Sequence, residues 1–273
     1  MTWLDWLLPW EPSILTMLAS GVSAILYLLG SRAHKTSWQR QVLFWLGLAT
    51  LFFSTQSRLD YYSEHSFFVR QIQDSFLHHT CPFLIAVSRP GVTLLAGLPA
   101  AFGPWMKRFL ALPPLRHLIT VVNQPFVAVS LFVGVTALWL IPRLQLVAML
   151  DQGWNQLMDW SMVINGLMFW GLVLNAHALR PARSSPGYRI VMMLAVVPPQ
   201  IVLGALLFSA SRPLYPVYSL CGLIFQGIDP LADQQIGGLI LWIHGAMMSV
   251  LGILIVIRRE WMATPKAAIE VSA

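Results

Sequence analysis

Charge is what this sequence has least of. Only 10% of its 273 residues are Asp, Glu, Lys or Arg, whereas soluble domains carry about 25%. Hydrophobic residues make up 57% of the chain, and the mean hydropathy is +0.67. A chain of this composition has too few charged side chains for an ordinary water-exposed surface. The sequence therefore predicts a membrane protein with several spanning helices.

Cysteine and catalytic motifs are equally scarce. The two cysteines, Cys81 and Cys221, are far apart, which excludes a disulfide framework and a paired-thiol metal site. The chain has no nucleotide-binding loop and no HExxH motif, and no Ser-His-Asp arrangement is recognisable. We therefore predict that the protein is not an enzyme. The N-terminus lacks a basic segment and carries Asp5 and Glu11, so no cleaved signal peptide is expected.

Apolar runs of about 20 residues, long enough to cross a bilayer, recur along the whole chain. The segment 91–106 is shorter and is interrupted by Pro99 and Pro104, so we expect an interfacial helix or a loop there. The sequence predicts an all-α membrane protein, a single domain over residues 1–273 that forms a seven-transmembrane helix bundle. The predicted spans are 13–30, 41–57, 67–88, 117–141, 155–178, 190–210 and 236–257.

The basic residues indicate orientation. The net charge of +6 resides mostly in short connections between apolar runs, a pattern typical of membrane topology, so we expect no nucleic-acid partner. Most of the 17 Lys and Arg residues follow spans one, three, five and seven. The positive-inside rule places those connections in the cytoplasm, with the N-terminus outside and the C-terminus inside. The exceptions are Arg58, Arg70, Arg143 and Arg212.

Span three carries polar groups where lipid is expected. Arg70, Asp74 and His78 are spaced four apart and share one helical face, with Cys81 near that face. His79 is rotated about 100° from His78, so both imidazoles do not easily point at one centre. Ionisable groups at this depth normally face a bundle interior or a water-filled cavity.

Spans five and seven carry polar residues at similar depths. Asn155 and Asp159 are four apart in span five, and His244 lies well inside span seven. We therefore expect spans three, five and seven to form one outward-facing polar pocket. Two interpretations stay open: a functional cavity, or an Arg70–Asp74 ion pair that only fixes helix packing.

At this point the sequence resembles the CtaG family of cytochrome c oxidase assembly factors. The stretch PLADQQIGGLILW, residues 230–242, is similar to the family hallmark, and FFVRQIQDSFLHHTCPFLIAVSRP and GLMFWGLVL resemble the family's segments in spans three and five. The resemblance covers essentially the whole chain in order. The hallmark residues are Asp233, Gln234, Gln235, Gly237, Gly238 and Trp242.

The resemblance implies an assembly factor in the bacterial inner membrane, which delivers or retains copper for the oxidase copper centre at the outer face. Its partners would be oxidase subunits or other assembly factors, together with membrane lipid. The family usually has a His-x-x-x-His pair in span three and another in span five. Here those positions hold Arg70 and Asp74, and Asn155 and Asp159.

These departures leave two alternatives within the family. Arginine stays protonated and cannot ligate a metal, and carboxylate and amide oxygens are poor ligands for Cu(I). Either the protein is a metal-free assembly scaffold whose ion-pair cluster replaces the metal, or copper binding has moved to other residues. The candidate ligands are then His78, His79, Cys81 and His244.

Two alternatives lie outside the family. A haem-binding redox protein would use His78 or His79 with His244 as axial ligands. A proton or solute carrier would use Arg70, Asp74 and Asp159, although polar residues become rare in the inner halves of the spans.

Overall fold

The computed structural model describes residues 12–100, 102–174, 185–220, 225 and 227–263. The described chain folds into α-helices joined by short connections, as the sequence predicts. The helices are α1 Ile14–Ala33, α2 Trp38–Gln56, α3 Arg58–His65, α4 Phe67–Ser75, α5 Cys81–Ser88, α6 Gly91–Gly97, α7 Phe102–Leu110, α8 Pro113–Val122, α9 Pro125–Trp139, α10 Pro142–Leu150, α11 Gln152–Leu174, α12 Pro186–Phe208, α13 Val217–Leu220 and α14 Pro230–Ala263, with a π-helical turn, Phe76–Thr80, between α4 and α5.

Within the described residues, four helices, α1, α11, α12 and α14, are long and apolar enough to cross a membrane. The count rises to six if each of two bent helix pairs is one span. The six correspond to predicted spans one and three to seven. Predicted span two coincides with α2, which has 19 residues but begins with the polar run Gln39, Arg40 and Gln41. The prediction of seven spans and of their orientation is neither confirmed nor excluded by these helices.

Both bent pairs lie where the chain carries proline. Predicted span four, 117–141, corresponds to a bent helix pair, because α8 and α9 meet at an angle of 77°. Pro125 occupies the first turn of α9, where its missing N–H costs no helical hydrogen bond. The second bend, 74°, follows Arg89 and turns the chain from α5 into α6. The segment expected to be an interfacial helix or loop therefore begins with the helix α6.

α1 shows how the bundle meets its surroundings. One side packs against α6, where Gly30 and Gly97 face each other so closely that a Cβ on either would overlap the opposite backbone. The other side exposes large apolar side chains to the exterior, as expected for a helix in lipid. The exposed residues of this side include Ile14, Leu18, Val22, Ile25 and Leu29.

The helices around the polar centre pack as follows. α14 lies along α12 and against α4, and α5 lies between α2 and α11. α9 completes the bundle against α11 and α12. Because α4, the π-helical turn and α5 form one continuous segment, their residues contact α2, α9, α11, α12 and α14 at successive levels.

Candidate functional site: an ion-pair cluster and a histidine cluster

The structure brings Arg70, Asp74, Asn155 and Asp159 together, and we call these four residues the ion-pair cluster. The Arg70 Nε lies 3.1 Å from Asp74 Oδ1, one helical turn further along. Its Nη2 donates to Asp159 Oδ1 at 3.0 Å, and its Nη1 donates to Asn155 Oδ1 at 3.0 Å. Arg70 is only 2% exposed, so these contacts lie inside the bundle, between α4 and α11.

A second layer of hydrogen bonds, not included in the predicted site, extends the cluster to α2 and α3. Arg70 Nη1 also donates to Gln73 Oε1 at 3.3 Å. The Gln73 amide then donates to Asp60 Oδ1 at 2.9 Å and to the Ser54 carbonyl at 2.8 Å. A glutamine inside an apolar span is itself a sign of a buried polar partner, since an unpaired amide there is costly.

The backbone changes pitch directly after the cluster. Pro82 has no N–H to continue the α-helical pattern, and the preceding turn widens to π geometry, in which the Cys81 amide bonds the carbonyl of Phe76, five residues back. Gly166 on α11 packs tightly against the His78 carbonyl and the Pro82 ring, because a Cβ at Gly166 would overlap both. The π-helical turn buries both His78 and His79, which a regular helix would direct about 100° apart.

His78, His79 and His244 form what we call the histidine cluster. The rings of His78 and His79 lie 5.1 Å apart and those of His79 and His244 lie 5.7 Å apart, measured between centroids. Phe132 on α9 stacks on His78 at 4.0 Å. The three imidazoles therefore meet at one level of the bundle, contributed by the π-helical turn and α14.

Each histidine bonds a neutral group on a neighbouring element. His78 Nε2 donates to Asn165 Oδ1 at 3.2 Å, and the Thr136 hydroxyl lies 3.2 Å from its Nδ1. The Gln200 amide is 3.3 Å from His79 Nε2, and the Thr80 hydroxyl is 3.1 Å from His244 Nε2. The His79 Nδ1 has no hydrogen-bond partner within the described part of the chain. The partner residues Thr136, Asn165 and Gln200 had not been predicted as partners, although each is polar within an apolar span.

Cys81 does not join the histidines. It is fully buried in an apolar cluster with Tyr27, Phe44 and Leu48, on the side of α5 that faces α2. Cys221 lies outside the described residues. Across the described ranges, no group of three or more His, Cys, Asp or Glu side chains is arranged to hold a metal ion. The four predicted ligands therefore do not share one centre in this structure, and copper binding stays a prediction.

A small cavity separates the two clusters. Its volume is about 10 Å³, near the lower limit for one water molecule, and Asp74, His78, His79 and Gln71 are among its lining residues. A second cavity of about 20 Å³ lies beside Asp159. The expected polar pocket is thus divided in this structure: Asp74, His78 and His79 line one small cavity, Asn155 and Asp159 line the other, and Arg70 is buried between them. Whether the polar residues open to the outside stays a prediction.

The run that resembles the family hallmark is a helix contact. The Asp233 carboxylate accepts hydrogen bonds from the Ser66 hydroxyl at 2.8 Å and from the backbone amides of Phe67 and Phe68 at 2.8 and 3.0 Å. These are free amides at the start of α4, so Asp233 of α14 caps α4 from outside. Gln234 accepts from the Leu214 amide at 2.6 Å and donates to the Leu207 carbonyl at 3.0 Å.

The glycines of the same run allow close approach. A Cβ on Gly238 would lie 2.6 Å from the Gly204 carbonyl oxygen of α12, and a Cβ on Gly204 would lie 2.8 Å from the Cβ of Trp242. Gly237 faces the ring of Phe67 on α4. Gln235 is half-buried beside them. The run therefore fixes α14 to α4 on one side and to α12 on the other.

The fold and these contacts define a helical membrane protein with buried polar side chains at its centre. The family model for the cytochrome c oxidase caa3 assembly factor, Caa3_CtaG, matches residues 25–264. The chain therefore belongs to this family of cytochrome c oxidase assembly factors. Comparisons with curated proteins and with solved structures gave no match.

Proposed function

We propose that this chain serves cytochrome c oxidase assembly as a metal-free scaffold in the bacterial inner membrane. Its partners would be oxidase subunits or other assembly factors, engaged at the outer face. The observation that supports this role is that the Arg70 guanidinium lies at the centre of the ion-pair cluster. A permanently protonated guanidinium cannot coordinate copper, and it holds the oxygens that surround it.

The geometry supports the proposal that paired charges take the place of a metal at these positions. The resemblance to the CtaG family places paired histidines where Arg70, Asp74, Asn155 and Asp159 stand here. One cation donates hydrogen bonds to Asn155 and Asp159 of α11 at 3.0 Å and forms an ion pair with Asp74 of α4 at 3.1 Å. A metal bound by the paired histidines would join the same two helices, so the fold survives while the metal site is lost.

Copper content tests the proposal directly. The wild-type protein, purified after Cu(I) loading, is expected to hold no stoichiometric copper. A quadruple variant, Arg70→His, Asp74→His, Asn155→His and Asp159→His, restores the family pattern and is expected to bind it. The matched control places one further histidine on an exposed helix, Arg143→His. Stoichiometric copper in the wild type that is lost in Arg70→Leu would contradict the proposal.

Oxidase assembly tests the scaffold role separately. In cells that lack the endogenous factor, the wild-type chain is expected to restore assembled cytochrome c oxidase, measured by its haem spectrum and subunit levels. Arg70→Leu is expected to fail, whereas the triple variant His78→Ala, His79→Ala and His244→Ala, checked for normal protein levels, is expected to retain the scaffold's effect. Loss of assembly only in the histidine variant would instead support a copper role.

That copper role is the second candidate, and one observation favours it. The ring centroid of His79 lies 5.1 Å from that of His78 and 5.7 Å from that of His244. The Nδ1 of His79 has no hydrogen-bond partner within the described residues. Imidazole is a suitable copper ligand. Under this alternative, copper delivery or retention would use the histidine cluster without Cys81. Stoichiometric copper that disappears in the triple histidine variant would establish it.

The geometry favours neither a haem protein nor a carrier. The rings of His79 and His244 contact each other, and the cavity beside His79 has room for about one water molecule, far less than a haem needs. The carboxylates of Asp74 and Asp159 form ion pairs with Arg70, which leaves them poorly placed for a proton relay.

For the topology, we propose seven spans, with α2 added to the six candidate segments, the N-terminus outside and the C-terminus in the cytoplasm. The support is the position of the basic residues, which gather where α5 and α14 end and where α2 and α12 begin. Reporter fusions after α2 and after α14 are expected to report the outer and the cytoplasmic side, respectively. The same side for both fusions would contradict it.

A further inference from the structure

Four arginines converge at one end of the bundle, away from the clusters described above. Arg40 lies in the first turn of α2, Arg89 follows α5, Arg189 lies in the first turn of α12, and Arg259 lies near the end of α14. Arg89 is within electrostatic range of Arg40 and Arg189, and Arg259 is within range of all three. Four helices that are distant in sequence therefore bring four guanidinium groups to one place.

Two of these arginines are fixed by hydrogen bonds to helix ends. Arg259 Nη1 donates to the Leu174 carbonyl at 2.7 Å, and its Nη2 donates to the Val87 carbonyl at 3.4 Å. Arg189 donates to the Glu260 carboxylate at 2.7 Å and to the Val173 carbonyl at 3.4 Å. Arg189 is 3% exposed, yet its Nε has no partner within the described residues.

The backbone directs a third arginine to the same place. Arg89 has φ of 53°, the one non-glycine residue of the described chain in the left-handed region. Such conformations are sparsely populated for side chains like arginine and tend to occur at functional sites. Arg40 and Arg89 expose their side chains at the bundle end.

Positive charge exceeds negative charge here. Asp233 lies at the opposite end of α14, and only two acidic residues, Glu260 and Glu270, follow it in the sequence. Glu260 pairs with Arg189. Partial burial and the neighbouring guanidiniums of Arg40 and Arg189 lower the pKa of Arg89, which lies in the turn outside the helices. Gathered like charges repel each other, and a bound anion relieves that repulsion.

The surroundings identify the kind of anion. Trp38, Tyr188 and Trp261 are all exposed at this end of α2, α12 and α14, at 71%, 49% and 80%. Tryptophan and tyrosine are enriched at the level of lipid headgroups, which is where phosphate lies in a bilayer. Basic pockets between membrane helices are suited to anionic headgroups, and arginine binds phosphate with two parallel hydrogen bonds.

We propose that Arg40, Arg89 and Arg259 form a binding site for the phosphate group of an anionic phospholipid, with Arg189 supporting the site from behind. The headgroup would lie between the starts of α2 and α12 and the ends of α5 and α14. A lipid bound there would link four helices through one anion.

The test is the thermal unfolding temperature of the full chain in nanodiscs. Adding phosphatidylglycerol to phosphatidylcholine discs is expected to raise the Tm of the wild type by several degrees. The double variant Arg40→Gln and Arg89→Gln should lose that rise while unfolding cooperatively in phosphatidylcholine alone. The matched control Arg143→Gln and Arg212→Gln, which removes two exposed arginines elsewhere, should keep it.

Three results would overturn the proposal. The first is no rise for the wild type. The second is an equal loss in the control variant, which would make the effect one of overall charge. The third is an equal rise with inorganic phosphate in phosphatidylcholine discs, which would assign the site to a soluble anion instead of a lipid. Native mass spectrometry adds a second readout: retained phosphatidylglycerol should fall several-fold in the double variant and not in the control.

Discussion

Helix α4 is held in two places by two different kinds of contact. At its start, Asp233 and Gly237 of α14 fix it through residues that match the family hallmark. One turn further in, the ion-pair cluster fixes it to α11 through residues that depart from the family pattern. The matching contact is made of backbone amides and close packing, whereas the departing contact is made of paired charges.

This difference shows which parts of the site tolerate chemical change. A helix cap and a glycine contact depend on backbone geometry, so few other residues satisfy them. A cluster that joins two helices depends only on matching acceptors with a central cation. Under the proposed scaffold role, a guanidinium and a metal are two ways to join these helices, and this chain uses the guanidinium of Arg70.

The largest expected effect is at Arg70. Arg70→Leu leaves Asp74 and Asp159 buried without their cation, and breaking a buried pair in this way costs about 3–5 kcal/mol of unfolding free energy. Chemical or thermal unfolding in detergent measures it. Adding Asp74→Asn and Asp159→Asn removes the stranded charges and is expected to recover part of that loss.

Arg143→Leu is the control for the Arg70 prediction, because Arg143 is exposed on α10. It should change stability by less than about 0.5 kcal/mol, as surface substitutions usually do. If Arg70→Leu were no more harmful than Arg143→Leu, the ion-pair cluster would not hold the helices, and the scaffold proposal would lose its support.

The second effect tests the glycine contact. Gly238→Ala places a Cβ 2.6 Å from the Gly204 carbonyl oxygen, and only a shift of the α12 or α14 backbone relieves it. Overpacking of this kind costs about 1–3 kcal/mol. Gly171→Ala is the matched control, since nothing lies within 4 Å of a Cβ there; removing a helical glycine should leave stability unchanged or raise it. Equal effects at the two sites would mean that α12 and α14 are not in close contact.

The sequence predicts the helical class, the approximate position of most spans and the residues of the ion-pair cluster. These features are predictable because the length of an apolar run and the spacing of Arg70 and Asp74 are local properties of the sequence. The sequence does not predict the π-helical turn or the bend before Pro125, since both depend on how a proline's missing N–H is accommodated by neighbouring helices. The prediction groups Cys81 with the histidines because linear spacing does not show which side of α5 faces α2.

The smallest expected effect is at the cap on α4. Asp229 and Asp233 lie four residues apart in sequence but cap different helices. Asp233→Ala removes the acceptor of two backbone amides and one hydroxyl, and loss of a helix cap costs about 0.5–2 kcal/mol. Asp229→Ala is the control: Asp229 is exposed and caps only its own helix, through the amides of Leu231 and Ala232.

Amide hydrogen exchange separates the two aspartates more sharply than stability does. Asp233→Ala should speed exchange of the Phe67 and Phe68 amides at the start of α4, a helix remote in sequence, because those amides lose their acceptor. Asp229→Ala should speed exchange only at the start of α14. If both substitutions left α4 protected, Asp233 would not hold the start of α4, and the ion-pair cluster would be what holds α4 in the bundle.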